Sequence, residues 1–208
     1  MRVKRLLPFL FVLFSICPTY ARDVSVGFIA GLPVTNLLEA REGTVSKTSR
    51  YTFGPDLRIG LLHDFAVDIN LLHKRAEFGF ESDPARAAIR RLEFPVQLRY
   101  RFPGAGLRPW IQVGMSFNRV VGVTGSHPCR QPGLDERFYC LAGVPAIEMR
   151  HRTTHGPVLG AGVEFRKNRL QLDSEIRVTR WVDRNFGTRE SPLQSNLTQI
   201  EVLVAVRF

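Results

Sequence analysis

Residues 91–102 read RLEFPVQLRYRF and carry the sharpest alternation in the chain. One set of positions is apolar, namely Leu92, Phe94, Val96, Leu98, Tyr100 and Phe102, and the other set is charged or polar, namely Arg91, Glu93, Gln97, Arg99 and Arg101. Successive side chains of a β-strand point to opposite faces of the sheet. The stretch therefore predicts a strand with one apolar face and one charged face.

The same period-two pattern recurs through the rest of the chain, and it replaces any convincing helical periodicity. Eight runs show it, at residues 24–32, 51–62, 65–71, 91–102, 107–118, 159–166, 170–178 and 199–208. Each run is close to the roughly 9–11 residues that a tilted strand needs to cross the hydrocarbon layer of a membrane. The pattern predicts an all-β protein of about eight strands.

The connections between these runs alternate between short and long. Two to four residues join runs two and three, four and five, and six and seven. The other connections are predicted to be long loops, at residues 33–50, 76–88, 123–156 and 183–196. In an up-and-down antiparallel barrel, this order places every short turn at one rim and every long loop at the other.

The N-terminus has the features of a secretory signal peptide. Three basic residues precede an apolar stretch from Leu6 to Ile16, and Thr19-Tyr20-Ala21 offers small side chains at the cleavage positions. The apolar stretch is too short for a spanning helix. We expect residues 1–21 to be a signal peptide and residues 22–208 to be a single β-barrel domain.

Composition alone does not separate a membrane barrel from a soluble protein, because only every second residue of a barrel strand faces lipid. Hydrophobic residues make up 44% of the chain and charged residues 23%. The net charge of +10 falls to +7 when the three basic residues of the signal are removed. An exported basic chain is not expected to meet nucleic acid. Anionic lipopolysaccharide is one expected partner, and a merely solvated surface is the alternative.

The signal peptide, the eight runs and the closing Val204-Ala205-Val206-Arg207-Phe208 resemble the small outer-membrane barrels typified by OmpA and OmpX. The resemblance is architectural and covers the whole mature chain. It implies a closed antiparallel transmembrane barrel in the bacterial outer membrane, with short periplasmic turns and long extracellular loops. It also implies contact with outer-membrane lipid, a monomeric state, and a role for Phe208 as the C-terminal signal read by the barrel-assembly machinery.

The charged face of the runs predicts a lumen charge network. Its members are Asp56, Arg58, Asp68, Arg91, Glu93, Arg99, Arg101, Glu164, Arg166, Asp173, Glu175, Arg177, Glu201 and Arg207, with Lys74 on the same face. An eight-stranded barrel is just wide enough for side chains to fill it. An unpaired charge buried there would cost several kcal/mol. The network is therefore interpreted as a seal of the lumen, with a narrow ion pathway as the alternative.

Aromatic residues gather near the predicted short-turn rim, namely Tyr100, Phe102, Trp110, Phe165 and Phe208, together with Phe65. Aromatic rings favour the headgroup level of a membrane. Trp110 is an exception within this set, since its position in the alternation directs it into the lumen.

Two cysteines follow the signal peptide, Cys129 and Cys140, and both fall in the longest predicted loop. An even number in an oxidising compartment predicts one disulfide. The bridge could order the loop for contact with a partner or could simply protect it from proteolysis. A metal site is not expected, because no pair of histidines lies nearby.

Three functions remain open from the sequence. The favoured one is a non-enzymatic integral outer-membrane barrel with a structural, surface-interaction or small-solute role. An envelope-lipid enzyme is the second, for which His151, His155, Thr154, Ser174 and Glu148 are available, but the expected His-x-Ser-Asn arrangement is absent. The third is a soluble periplasmic barrel with an apolar ligand. No residue is assigned a catalytic, metal-ligating or cofactor-binding role, and no cofactor is expected.

Overall fold

The computed structural model describes most of the chain after the predicted signal peptide. The described residues are 23–41, 43–48, 51–61, 63–81, 86–104, 106–125, 127–128, 138–141, 144–167, 170–187, 191 and 193–208. The predicted signal peptide at residues 1–21 lies outside them and stays a prediction.

Fifteen β-strands make up the regular structure of the described residues. They are β1 (Asp23–Pro33), β2 (Leu38–Ala40), β3 (Thr44–Thr48), β4 (Thr52–Gly60), β5 (Phe65–Asn70), β6 (Leu72–Phe80), β7 (Arg86–Arg101), β8 (Leu107–Thr124), β9 (His127–Pro128), β10 (Phe138–Leu141), β11 (Val144–Glu148), β12 (Thr153–Lys167), β13 (Leu170–Arg180), β14 (Leu193–Ser195) and β15 (Thr198–Arg207).

The long strands form one closed antiparallel barrel. Following the chain, β1, β4, β5 with β6, β7, β8, β12, β13 and β15 each pair with the next, and β15 pairs back with β1. Strands β5 and β6 act as one wall strand that is interrupted at Leu71, whose N–H donates to the carbonyl of Pro55 at 3.1 Å. The wall therefore has eight strands in up-and-down order, which confirms the predicted fold class.

The alternation of each strand separates the outer surface of the barrel from its interior. In β13, Leu172 and Ile176 are 42% and 58% exposed on the outer surface, whereas Asp173 and Arg177 are each 1% exposed. The apolar face is thus outside and the ionic face inside.

The two ends of the barrel differ in their connections. The near rim carries the chain's C-terminus and the connections 61–64, 102–106 and 168–169. In the first of these, the Leu61 N–H donates to the carbonyl of Phe65 at 2.8 Å and His63 adopts a φ of 56°. The far rim carries the connections between β1 and β4, β6 and β7, β8 and β12, and β13 and β15.

The prediction of a long loop at residues 76–88 is wrong. Strand β6 continues to Phe80 and β7 begins at Arg86, so five residues connect them, and Ala76 pairs with Ile89 within the extended hairpin. Alternation is weak here because the inward side chains are themselves apolar, with Phe78 and Ala87 at 0% and 1% exposure. Without a polar inner face, the period-two signal disappears although the strands continue.

The other three far-rim connections contain short strands of their own. Strand β3 pairs with β6 outside the eight-stranded ring, β14 pairs with β2, and β9, β10 and β11 form a small separate sheet. These pieces bring together an apolar cluster, the far-rim cluster, whose members are Leu38, Phe78, Ala87, Ile89, Val120, Ile147, Met149, Phe186 and Leu193. Packed apolar side chains therefore stabilise the far end of the barrel.

Searched over its described residues, the chain has no helix of the length and apolarity needed to span a membrane.

Candidate functional site: the barrel interior and its far mouth

Charged side chains fill the interior of the barrel in balanced number. The buried carboxylates are those of Asp56, Asp68, Glu93, Glu164, Asp173, Glu175 and Glu201, and the buried cations are Arg58, Lys74, Arg91, Arg99, Arg177 and Arg207. The side chain of Arg101, at 15% exposure, adds a seventh cation beside the seven acids. The formal charges of these seven carboxylates and seven cations cancel.

Arg58 lies at the centre of the cluster nearest the near rim. Its Nε is 2.7 Å from Asp68 Oδ1, and its Nη1 is 3.0 Å from Glu164 Oε2. The third contact runs from Nη2 to Asp173 Oδ2 at 2.7 Å. One guanidinium thus joins β4 to β5, β12 and β13 across the lumen.

Two further arginines complete this cluster. Arg99 Nη2 lies 2.6 Å from Asp68 Oδ2, and its Nη1 lies 2.9 Å from Asp173 Oδ2. Arg207 forms ion pairs with both Asp56 and Asp173. Charge-assisted pairs of this kind are among the stronger hydrogen bonds in proteins, and each holds two wall strands at a fixed separation.

Trp110 lies inside the barrel, so its assignment to the aromatic rim is wrong and its position in the alternation is the correct guide. It is 1% exposed, and the guanidinium carbon of Arg99 lies 3.5 Å from the centre of its ring. An arginine over an indole face gains from the ring quadrupole while retaining its in-plane N–H donors for carboxylates. The ring therefore forms a wall for the near-rim cluster.

Lys74 organises a second cluster deeper in the barrel. Its Nζ lies 2.5 Å from Glu93 Oε2 and 2.7 Å from Glu201 Oε2. Ser116 Oγ donates to the other oxygen of Glu93 at 2.8 Å, and Thr52 Oγ1 donates to Glu201 at 3.2 Å. Each carboxylate thus has both a cation and a hydroxyl as partners.

Arg177 extends the near-rim cluster. Its Nε lies 2.5 Å from Glu175 Oε1, which also accepts from Gln112 Nε2 at 2.6 Å. Its Nη2 donates to Asn70 Oδ1 at 2.8 Å, and Asn70 Nδ2 donates in turn to Asp56 Oδ1 at 2.5 Å. These contacts link Arg177, Glu175, Gln112 and Asn70 to the near-rim cluster through Asp56.

Two predicted members of the network lie at its edge. Arg166 is outside it, because its side chain is 43% exposed and its Nη2 pairs with Asp23 Oδ2 at 3.0 Å at the near rim. Arg101 approaches Glu164 Oε1 only to 3.8 Å. Alternation gives the direction of a side chain but not the depth at which the barrel interior ends, which explains the correction for Arg166.

The far mouth of the network is covered by residues 181–187, here called the mouth segment. Asn185 Oδ1 accepts from Asn118 Nδ2 at 3.0 Å and from Arg91 Nη1 at 3.4 Å. Phe186, fully buried at 0% exposure, belongs to the far-rim cluster. The segment therefore bonds downward to the ionic network and packs laterally into apolar side chains.

Backbone hydrogen bonds hold the mouth segment on both sides. The carbonyl of Asn185 accepts from the Arg150 N–H at 2.8 Å, and Asn185 Nδ2 donates to the carbonyl of His151 at 2.9 Å. On the other side, the Phe186 N–H donates to Ser195 Oγ at 3.0 Å, and the Ser195 N–H donates back to the carbonyl of Phe186 at 2.9 Å.

Three of the residues considered for lipid chemistry, Thr154, His155 and Ser174, do not come together. Thr154 is buried and its hydroxyl donates to the carbonyl of Asp183 at 3.1 Å, whereas His155 is exposed on the opposite face of the same strand. Ser174 is exposed opposite Val163, towards the near rim. Among the described residues, no group of three histidine, cysteine, aspartate or glutamate side chains is placed to hold a metal ion.

The remaining predicted site residues have simple placements. Cys140 is buried at 1% exposure on β10, whereas Cys129 lies outside the described residues, so the disulfide stays a prediction. Phe208 is 69% exposed at the near rim, and its N–H donates to the carbonyl of Val26 at 3.0 Å. Its role in assembly also stays a prediction.

Other rim aromatics form contacts at the near rim. The Tyr100 ring centre lies 5.1 Å from that of Phe65 and 5.0 Å from that of Phe102. All three rings are on the outer surface, where a headgroup layer would meet them.

Several side chains that contact the polar interior or cover its far mouth are absent from the predicted charge network. Alternation places Asn70, Gln112, Ser116 and Asn118 on the polar face with the charged residues, but the predicted network contains only charged side chains. Asn185 and Phe186 could not be found in this way, because they come from a connection without periodicity.

No family model matches the chain, and no curated protein matches it. Solved structures of similar architecture include the crystal structure of Neisserial surface protein A, with 14% identity, a TM-score of 0.47, and coverage of 89% of this chain and 96% of that chain. The solid-state NMR structure of the outer membrane protein AlkL in lipid bilayers has 15% identity and a TM-score of 0.47, covering 89% of this chain and 90% of that chain. The crystal structure of Ail of Yersinia pestis has 12% identity and a TM-score of 0.44, covering 89% and 96%. The likeness is one of architecture alone.

Proposed function

We propose that this chain is an integral outer-membrane barrel protein with a sealed lumen, whose function is exerted at the surface of its far rim rather than by passage of solutes. It acts as a non-enzymatic membrane anchor that holds an ordered extracellular surface. The observation that carries the proposal is the combination of an apolar exterior with an interior of paired charges.

The exterior supports a membrane location. Large apolar side chains are exposed along every wall strand, for example Phe28 at 72%, Ile111 at 51% and Leu159 at 59%. Such a surface is unusual for a soluble protein, because contiguous exposed apolar patches on soluble monomers rarely exceed a few hundred Å². The closed wall pairs the backbone groups of neighbouring strands, as a lipid environment requires.

The interior supports a sealed lumen. Side chains from strands that are not neighbours meet inside the barrel, as the contact of Lys74 on β6 with Glu201 on β15 shows. An ion entering this space would have to separate charges that are buried and paired, which is costly in a medium of low dielectric constant. The mouth segment and the far-rim cluster close the same path from outside.

The orientation follows from the connections. Outer-membrane barrels have short turns on the periplasmic side and longer loops on the extracellular side. We therefore assign the near rim to the periplasm and the far rim to the cell exterior.

The alternative of a soluble barrel with an apolar ligand is disfavoured by the same sidedness. Such a protein needs an apolar cavity and a polar exterior. In this chain the buried inward residues of the wall include Arg99, Glu164 and Arg177, at 1% exposure or less.

Planar bilayer recording tests the sealed lumen. The full chain, extracted from the membrane and shown to migrate in a heat-modifiable way on gels, is added to a bilayer under voltage. We expect no stepwise conductance. Regular single-channel steps from the purified chain would contradict the sealed lumen, and recovery of the chain in the soluble periplasmic fraction would contradict the membrane assignment.

A further inference from the structure

We propose that a groove on the outer wall near the far rim binds a phosphorylated glycolipid of the outer leaflet, with acyl chains on its aromatic floor and a phosphate on its basic edge. The inference rests on the proposed membrane location and adds a specific lipid site to it.

The floor of the groove is built from neighbouring strands. Phe94 of β7 pairs with Phe117 of β8, and Phe117 pairs with His155 of β12, so the three side chains form one row across the wall. Phe94 and Phe117 are 43% and 50% exposed, and the ring centres of Phe117 and His155 lie 6.5 Å apart. This row of aromatic rings is exposed on the outer wall, where acyl chains could contact it.

The basic edge lies in the next row towards the far rim. Leu92 pairs with Arg119 and Arg119 pairs with Thr153, and all three side chains line the groove. The open groove that these residues line with Phe94, Phe117 and His155 has a volume of about 410 Å³. This volume lies within the range of roughly 300–1,000 Å³ that is usual for ligand pockets.

The charge of the groove selects an anion. Among the described residues that line it, Arg119 and His155 are present and no carboxylate is. The backbone of Arg152, an exposed residue, lies beside β8, because its carbonyl accepts from the Val120 N–H at 2.8 Å. Within the described residues, Arg119 forms no ion pair. A planar guanidinium that is free of an acid partner matches the bidentate geometry of a phosphate group.

The order of the two rows selects a lipid rather than a soluble anion. The aromatic row lies on the side of the membrane-spanning wall, and the basic row lies on the side of the extracellular rim. A molecule that satisfies both rows must have hydrocarbon and phosphate in that order along the membrane normal. A phosphorylated glycolipid anchored by acyl chains in the outer leaflet has this arrangement.

Native mass spectrometry of the full chain in detergent tests the site. The protein is first extracted from the outer-membrane fraction and checked for heat-modifiable migration, and is then titrated with bisphosphorylated lipid A or with the same lipid after removal of its phosphates. We expect the phosphorylated form to bind roughly tenfold more tightly, as one or two hydrogen bonds to a charged group would produce.

The variant Arg119→Gln is expected to reduce that preference to about twofold, because the neutral amide cannot pair with phosphate. His155→Gln provides a second variant in the same groove. Arg166→Gln is the matched control, since it removes an exposed arginine at the opposite rim, and it should keep the full preference.

The outcomes separate the site from the membrane assignment. A chain that inserts in the membrane but binds both lipids equally, or keeps its preference in Arg119→Gln and His155→Gln alike, overturns the lipid site alone. A chain that is recovered outside the membrane overturns the proposed function and the lipid site together.

Discussion

Arg58 is the residue on which the interior depends most directly. It contacts Asp68, Glu164 and Asp173 at 2.7–3.0 Å, and its side chain is 4% exposed. Arg99 and Arg207 also reach Asp173, but no other arginine bonds Glu164 at hydrogen-bond distance within the described residues. Arg58 therefore contacts three carboxylates of the near-rim cluster and is the one described arginine within hydrogen-bond distance of Glu164.

Replacing Arg58→Met keeps an unbranched apolar stem but removes the guanidinium, and it leaves three carboxylates short of one cation. We expect the free energy of unfolding to fall by about 3 kcal/mol, as when one partner of a buried ion pair is removed. Urea titration in lipid vesicles, followed by tryptophan fluorescence, measures the change.

Arg166→Met is the control for this prediction, since it removes an exposed arginine whose pair with Asp23 should contribute less than about 1 kcal/mol. Equal losses in the two variants would contradict the special position of Arg58.

Trp110 allows the inward face to be tested by spectroscopy. Its ring is buried against Arg99, away from any lipid. The chain contains two tryptophans, so a Trp181→Phe variant isolates the signal of Trp110. We expect lipids with brominated acyl chains to quench this fluorescence weakly, whereas a Val113→Trp probe added to a variant lacking both tryptophans should be quenched strongly, because Val113 is 53% exposed on the outer wall. Strong quenching of Trp110 would place its ring in the lipid.

The mouth segment shows how a connection without regular structure gains stability at the scale of an element. Residues 181–187 contribute Asn185 to the polar network and Phe186 to the far-rim cluster. Strands β2 and β14 lie against the same cluster through Leu38 and Leu193. The segment is ordered because it satisfies polar and apolar groups of the wall at the same time.

The variant Phe186→Ala tests whether the mouth segment is held by the cluster. Truncating a buried phenylalanine removes about 3–5 kcal/mol of packing. We expect faster hydrogen exchange at residues 148–151 and 193–195, which bond to the segment, with unchanged heat-modifiable migration of the barrel. Val182→Ala, at a residue 58% exposed, serves as the control. Uniform loosening of all wall strands would show that the cluster is not a local unit.

At the scale of the whole molecule, sidedness is the decisive property. The same side-chain alternation could fold with its ionic face outward, yet the closed barrel places Arg99 and Glu164 inside at 0% exposure and Phe28 outside at 72%. An exterior of this kind is compatible with lipid, and an interior of balanced charge needs no counter-ion. The barrel with its ionic face inside is therefore suited to a lipid environment.

Val113→Arg places a charge in the middle of the outer wall. In a bilayer we expect this change to cost about 2–4 kcal/mol at the membrane midplane, so that insertion into vesicles falls while folding in mild detergent is less affected. Val113→Ile is the control. Insertion is measured by protease protection and heat-modifiable migration. An arginine variant that inserts as well as the control would contradict the lipid-facing assignment.

Much of the architecture could be predicted from the sequence because alternation is a local property. The strand from Arg91 to Arg101 and its neighbours are visible in the order of their residues, and so is the set of side chains that shares a face. The hairpin of β6 and β7 was missed beyond Ala76 because Phe78 and Ile89 face an apolar cluster, which erases the contrast between faces. Trp110 was placed at the rim by residue type, although its parity indicated the interior.

The sequence by itself determined the number of strands, their up-and-down order and the grouping of side chains into two faces, since each depends on spacings of a few residues. Only the tertiary structure decided which carboxylate pairs with which cation and how the far mouth is closed. Arg58 and Asp173 are 115 positions apart, and Asn185 reaches Asn118 across 67. Such pairs meet because closure of the barrel places the inward side chains of distant strands near one another. A pattern of a few residues carries no information about contacts at that sequence separation.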